Sequence, residues 1–143
     1  MSFESGLQLR ELSVSDIRHI EEEFARASKH VKDAGFDGID LHGTHGAMIE
    51  QFYSPATNLR TDRYGGTIEN RMGFLLEVTD SVRSVIGDSI VLGMRLFADE
   101  KIEGGVTPEY ASKMAELLDG KIDFVNVGTG SVGYFEASNQ TAH

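Results

Sequence analysis

The chain has 143 residues, 40% of them hydrophobic and 25% charged, which is enough for one folded domain with a hydrophobic core. Its formal net charge of −10 argues against surfaces that bind nucleic acid or anionic lipid, and no apolar run reaches the roughly 20 residues that span a bilayer. The absence of cysteine excludes disulfides, thiolate metal sites and a cysteine nucleophile, and it favours a cytoplasmic location.

The first predicted element is an amphipathic helix. Apolar residues recur at steps of three and four positions over residues 17–31. Ser13 or Ser15 suits the N-cap position, and Gly35 is predicted to end the helix in a left-handed conformation. A short strand is predicted directly afterwards, at residues 36–41.

Two histidines, His42 and His45, follow this strand. A long segment bearing glycine, proline and arginine then intervenes before helical periodicity returns. Loops of this length are uncommon in compact domains unless they have a function. Two imidazoles at a strand exit therefore indicate polar recognition or proton chemistry.

The same helix–glycine–strand unit recurs twice more along the chain. The second unit begins near residue 69 and continues into a predicted strand at residues 90–96. The third begins with Thr107 as a cap residue and Pro108 at the first helical position, and its predicted strand spans residues 122–127. Three repeats of one unit indicate an α/β fold.

Helices that alternate with strands predict right-handed crossovers and a parallel sheet. Counting from the glycine that ends each helix places His42, Arg95 and the pair Val127–Gly128 at the same height, at the carboxyl ends of the strands. An inward polar residue near a strand end, such as Asn126, is expected where a sheet presents a site. Because a complete (β/α)8 TIM barrel takes about 250 residues, the chain is predicted to be one partial barrel of about three β/α units. An open α/β sheet would present its ligand site in the same way.

Two long motifs occupy residues 34–46 (AGFDGIDLHGTHG) and 54–71 (SPATNLRTDRYGGTIENR), and shorter ones lie at residues 93–96 and 123–127. Together they resemble the Old Yellow Enzyme family of FMN-dependent NAD(P)H oxidoreductases, which are (β/α)8 barrels. The resemblance covers nearly the whole chain, which would supply the part from the third barrel helix to the sixth strand. It also implies that the loop at residues 60–66 braces the barrel rim, a structural role.

The resemblance implies roles for three residues. His42 and His45 match a catalytic pair that donates hydrogen bonds to the carbonyl or nitro oxygen of the substrate, and such donors stabilise the charge that this oxygen gains during hydride transfer. Arg95 matches a cofactor-binding arginine beside the N1–C2=O edge of the flavin, where its positive charge stabilises the reduced ring. No metal belongs to this predicted site.

One position departs from the family pattern. Many ene-reductases of the family have a tyrosine two residues after the second member of the pair, and this tyrosine protonates the substrate; here the residue is Ala47. Tyr53 and Tyr134 are then candidate proton donors. Alternatively, the chemistry is that of the amine-oxidising branch, which abstracts hydride from a carbon next to nitrogen and needs no such donor.

The residues themselves leave other interpretations open. The two histidines could bind zinc together with Asp40 or Glu50, or one of them could act as a general base. Arg95 could form an ion pair with Asp40 or Asp123 across adjacent strands. Without the surrounding motifs, a pair of histidines in a loop is more often a solvated or capping pair.

The sequence therefore predicts a segment of an FMN-dependent oxidoreductase that transfers hydride to or from an activated carbonyl, alkene or amine substrate. Its expected partners are NAD(P)H and the small-molecule substrate, with no nucleic acid and no membrane. In the family the flavin also contacts the first three strands and a phosphate cradle after strands seven and eight, so the isolated chain is expected to bind FMN weakly and to be inactive. The alternative is a non-catalytic barrel fragment that forms a homo-oligomer or completes another chain.

Overall fold

Four helices and three strands follow one another along residues 10–130, the part of the chain that the computed structural model describes. They are α1 (Val14–Asp33), β1 (Gly38–Gly43), α2 (Met48–Tyr53), α3 (Ile68–Ile86), β2 (Val91–Asp99), α4 (Pro108–Leu118) and β3 (Phe124–Thr129). The strands form one parallel sheet in the order β1–β2–β3. The predicted α/β class with three parallel strands is confirmed.

The helix starts have the predicted caps. Ser13 is the N-cap of α1, and its side chain and that of Asp16 bond each other's backbone N–H groups in a capping box. Thr67 and Thr107 cap α3 and α4 in the same position, and Pro108 occupies the first turn of α4. Each long helix is followed by a glycine with positive φ, at Gly35, Gly87 and Gly120.

All three strands begin later than predicted, by one or two residues. The amide of Phe36 still donates to the carbonyl of Val31 in the turn that ends α1, and this turn delays the start of β1. Two residues just before the strands already bond across the sheet: the carbonyl of Asp37 accepts from the amide of Val91, and the carboxylate of Asp123 accepts from the amide of Leu92.

One short helix was not predicted. Helix α2 lies inside the segment after the histidines and buries Ile49, Phe52 and Tyr53. It has only six residues, and its N-cap Ala47 has no side chain that could cap it. The expectation of a plain loop here is wrong, because so short a helix is formed by tertiary packing and leaves little periodic signal.

The segment after α2 is held by Arg60. Its guanidinium forms a bidentate ion pair with Asp62, at 3.0 and 2.6 Å, and donates to the carbonyl of Leu12 at 2.9 Å. The same group lies over the rings of Phe52 and Tyr64, about 6 Å from each centroid. These contacts tie the loop to the segment before α1.

The core lies between the helices and one face of the sheet. Leu41, Leu92 and Met94 point from the strands into a buried cluster with α1 and α3, in which Ile17 and Phe74 are fully buried. The opposite face of the sheet is called the inner face here. Its residues form two rows across the strands, Asp40–Gly93–Phe124 and His42–Arg95–Asn126. None of the helices in residues 10–130 combines the length and apolar character needed to cross a bilayer.

The outer strand β3 carries exposed apolar side chains. On its helix-facing side Val125 is 38% and Val127 is 62% exposed. A groove of about 130 Å³ lies between these valines and α4, where Met114 is buried. Within the described residues β1 and β3 each pair with one neighbour only, so both leave an unpaired ladder.

We expect the purified chain to form a homo-oligomer or to aggregate, because burial of these side chains and ladders requires another chain. Replacing Val125 and Val127 with lysine is expected to shift the distribution towards monomer in analytical ultracentrifugation. The matched control is Leu59→Lys, since Leu59 is 81% exposed and lies away from the sheet. A stable native monomer of 15.7 kDa that unfolds cooperatively would contradict this expectation.

Candidate functional site

His42, Arg95 and Asn126 form one row across the inner face of the sheet, near the carboxyl end of β1, in the middle of β2 and in the first half of β3. His42 is the register partner of Arg95, and Arg95 is that of Asn126. The predicted common height of His42 and Arg95 is confirmed, but the third member is Asn126 and not Val127 or Gly128. A strand alternates its side chains between two faces, so Val127 points to the helix-facing side.

The two predicted catalytic histidines lie together. The rings of His42 and His45 are stacked, with centroids 5.7 Å apart and planes 12° from parallel. His45 has a left-handed backbone with φ of 59°, an uncommon conformation for a residue other than glycine. Its ring contacts Phe97 edge-on at 5.3 Å, and its Nδ1 lies 2.8 Å from the hydroxyl of buried Thr44. The turn therefore holds the His45 ring from two sides.

The surroundings of His45 favour its neutral form. Partial burial lowers its pKa, and the positive charges of Arg95 and His42 lower it further. In the tautomer in which the Thr44 hydroxyl donates to Nδ1, the ring carries its proton on Nε2. In that tautomer His45 can donate one hydrogen bond from Nε2 without being charged.

Arg95 has no anionic partner in the described part of the chain. Asp123 pairs instead with Arg83 at 2.9 Å, and Asp40 accepts a hydrogen bond from Asn126 at 3.4 Å. Both proposed ion pairs of Arg95 are therefore absent from residues 10–130. Its Nε is buried without a hydrogen-bond partner there, which leaves a cationic donor on the inner face that an electron-rich ring edge such as that of FMN would satisfy.

The carboxylates considered as metal ligands have other partners. Glu50 accepts from the amide of Gly46 at 2.5 Å, and Asp40 is bonded to Asn126. Across residues 10–130 no three His, Asp or Glu side chains are grouped as metal ligands.

Tyr53 is buried and is not available as a proton donor. Its hydroxyl donates to the carbonyl of Gly43 at 2.5 Å and accepts from the amide of Phe97 at 3.3 Å. Burial raises its pKa well above the usual range. Tyr134, the other candidate, lies outside the described residues.

Ala47 is half-buried at the start of α2, so the departure from the family pattern lies directly beside the histidine turn.

The arrangement is that of consecutive β/α units with a parallel sheet, as in a segment of a (β/α)8 barrel, and a polar row lies on the inner face. The sequence profile of the NADH:flavin oxidoreductase / NADH oxidase family matches residues 2–139. The chain belongs to this family, whose cofactor is FMN, and the resemblance to Old Yellow Enzyme is confirmed.

Three relatives illustrate the match. NADH oxidase from Thermoanaerobacter brockii is 44% identical over 114 residues, which are 80% of this chain and 18% of that protein. 12-Oxophytodienoate reductase 2 from Arabidopsis thaliana is 45% identical over 102 residues, which are 70% of this chain and 27% of that enzyme. The solved structure of histamine dehydrogenase from Rhizobium sp. 4-9 superposes with a TM-score of 0.83 at 36% identity and covers 88% of this chain and 19% of that one. The chain thus spans a fifth to a quarter of the length of these relatives.

Proposed function

We propose that the chain is the part of an FMN-dependent NADH or NADPH oxidoreductase that holds the substrate oxygen and one edge of the flavin. The observation that supports this most strongly is the row of His42 and Arg95 with His45 stacked beside it, because it brings hydrogen-bond donors and an unpaired cation to one face. Its substrate is proposed to be a small molecule. The family's dependence on NADH and the absence of cysteine support a cytoplasmic location.

In this proposal each residue has a separate task. FMN, when bound, supplies or accepts the hydride. His42 and His45 donate hydrogen bonds to the substrate oxygen, where negative charge develops during the transfer, and neutral His45 does so from Nε2. Arg95 holds a fixed positive charge at the flavin-facing side of the row, which favours the reduced, anionic form of the ring.

A second candidate reaction is hydride abstraction from a carbon next to nitrogen. It is favoured by Ala47, because this side chain offers no proton to a substrate carbon. Both reactions occur among the relatives by name, in 12-oxophytodienoate reductase 2 and in histamine dehydrogenase. Oxidation of histamine and reduction of 12-oxophytodienoate therefore separate the two candidates.

On its own the chain is expected to bind FMN weakly or not at all. Within residues 10–130 its inner face carries one permanent cation, Arg95, and a flavin phosphate needs charge-assisted hydrogen bonds worth about 1.5–3 kcal/mol each. Fluorescence titration of FMN with the 143-residue chain measures this directly. Submicromolar binding would contradict the expectation.

A chimera tests the function itself. The part of the chain that matches 12-oxophytodienoate reductase 2 of Arabidopsis thaliana over 102 residues replaces the corresponding segment of that enzyme, which supplies the remainder of the barrel. We expect a yellow protein with bound FMN that is reduced by dithionite and reoxidised by 12-oxophytodienoate or, in the second candidate, a protein whose FMN is reduced by histamine. A chimera that melts at the temperature of the parent enzyme but contains no flavin would support the non-catalytic fragment instead.

A further inference from the structure

Two glutamates without a task in the proposed reaction lie buried directly behind the histidine turn. Glu50 of α2 is 4% exposed, and Glu100, at the end of β2, is completely buried. Carboxylates are rarely buried unless they are paired with a cation or share a proton. Neither forms an ion pair within residues 10–130, so their charges need another explanation.

The two carboxyl groups accept hydrogen bonds from different segments of the chain. Glu50 accepts from the amide of Gly46, the residue after His45, at 2.5 Å. One oxygen of Glu100 accepts from the hydroxyl of Ser54 at 2.7 Å and from the amide of Val106 at 2.6 Å. The other oxygen of Glu100, Oε1, is buried without a partner among the described residues, and the carboxyl groups of Glu50 and Glu100 are close enough to interact. A proton between the two carboxyl groups would satisfy a buried oxygen that has no donor.

We propose that Glu50 and Glu100 share one proton, and that this carboxyl pair positions His45 by holding its turn against the loop that follows β2. The pair acts through Gly46, whose amide it fixes, and so it is a positioning device that does not touch the substrate. It deepens the proposed function and rests on it only for the task of His45. A sequence separation of 50 residues between the two glutamates left no local sign of their contact.

The charges around the pair favour retention of the proton. Burial, opposed by the Gly46 amide and reinforced by the neighbouring Glu100, raises the pKa of Glu50 to about 7. The groups that face the pair are phenols: Tyr53 of α2 and Tyr110 of α4, whose pKa values are both raised by burial. Arg71 of α3 interacts with the Tyr110 hydroxyl, and it forms no ion pair with either glutamate.

The sign of the pH dependence follows from the raised pKa. Between the ordinary value of 4.5 and about 7, the folded chain binds a proton that the unfolded chain releases, so stability falls as pH rises through this window. Above about pH 7 the shared proton is lost and two buried negative charges face each other. The turn of His45 is therefore expected to be ordered below this pH and to loosen above it.

Hydrogen exchange of the Gly46 amide in the full 143-residue chain tests this proposal. After correction for intrinsic exchange, its protection is expected to fall by about tenfold or more from about pH 6 to about pH 8.5. In Glu50→Gln the amide oxygen still accepts from Gly46 while its NH₂ group donates to Glu100, so protection should remain high at both pH values. Glu100→Gln should behave in the same way, and Glu116→Gln, at an exposed position of α4, is the matched control that keeps the native pH dependence.

Two results would overturn the proposal: protection of Gly46 that does not change with pH in the native chain, or an unaltered pH dependence in Glu50→Gln. The carboxyl carbon-13 resonance of Glu50 gives a second measurement, which requires no variant to fold and should report a proton lost near pH 7. Neither measurement needs FMN or substrate. A negative result in these measurements does not contradict the proposed function. A chimera without flavin, in turn, does not contradict the shared proton of Glu50 and Glu100.

Discussion

A chimera that carries both His42→Ala and His45→Ala is expected to keep its FMN and to reduce 12-oxophytodienoate about 100- to 1,000-fold more slowly than the unmodified chimera. The two imidazoles are stacked beside Arg95 and provide the donors of the row, so their removal leaves the developing charge on the substrate oxygen without hydrogen bonds. Stopped-flow reoxidation of the dithionite-reduced flavin measures the step. Flavin absorbance in the same sample reports the FMN content.

The matched control for this experiment is His30→Ala. His30 lies exposed in the last turn of α1, on the helix side of the sheet and away from the inner face. It is expected to change neither the rate nor the flavin content. If the double variant reoxidises as fast as the control, the histidine pair has no part in the reaction, and the stacked rings are a structural feature of the turn.

Sequence patterns predicted the three long helices and the positions of His42 and Arg95 because the signals are local. The cap at Ser13 and the Thr107–Pro108 pair are each determined within a few residues of a helix start. His42 and Arg95 follow strands of the same repeated unit, and parallel strands bring their carboxyl ends to one edge. The proximity of His42 and Arg95 is therefore a consequence of the repeated helix–glycine–strand unit.

The features that the sequence did not predict depend on distant contacts. The sequence placed Val127 and Gly128 in the row in place of Asn126, because a count from the preceding glycine does not fix the register of β3 against β2. The burial of Tyr53 depends on hydrogen bonds to Gly43 and to β2. Local sequence carries the alternation of strand residues but not the register between strands.

The largest effect on stability is expected for Phe74→Ala, which should lower the free energy of unfolding by about 3–5 kcal/mol. Phe74 of α3 is fully buried, with its ring centroid 4.4 Å from that of Phe52 and 6.5 Å from that of Phe24. It therefore joins α1, α2 and α3, and its removal leaves a cavity where these three helices meet. Because small domains are stable by only about 5–15 kcal/mol, the variant would lose much of its folded population.

Urea denaturation followed by circular dichroism measures this loss, at one chain concentration because self-association would add to the apparent stability. Phe36→Ala is the matched control: the same side chain is removed, but Phe36 is 64% exposed, and the expected change is within about 0.5 kcal/mol. If both variants lose the same stability, the helix-side core is not what holds the chain together. Contacts between chains through β3 would then supply the stability, and the oligomer would be the folded unit.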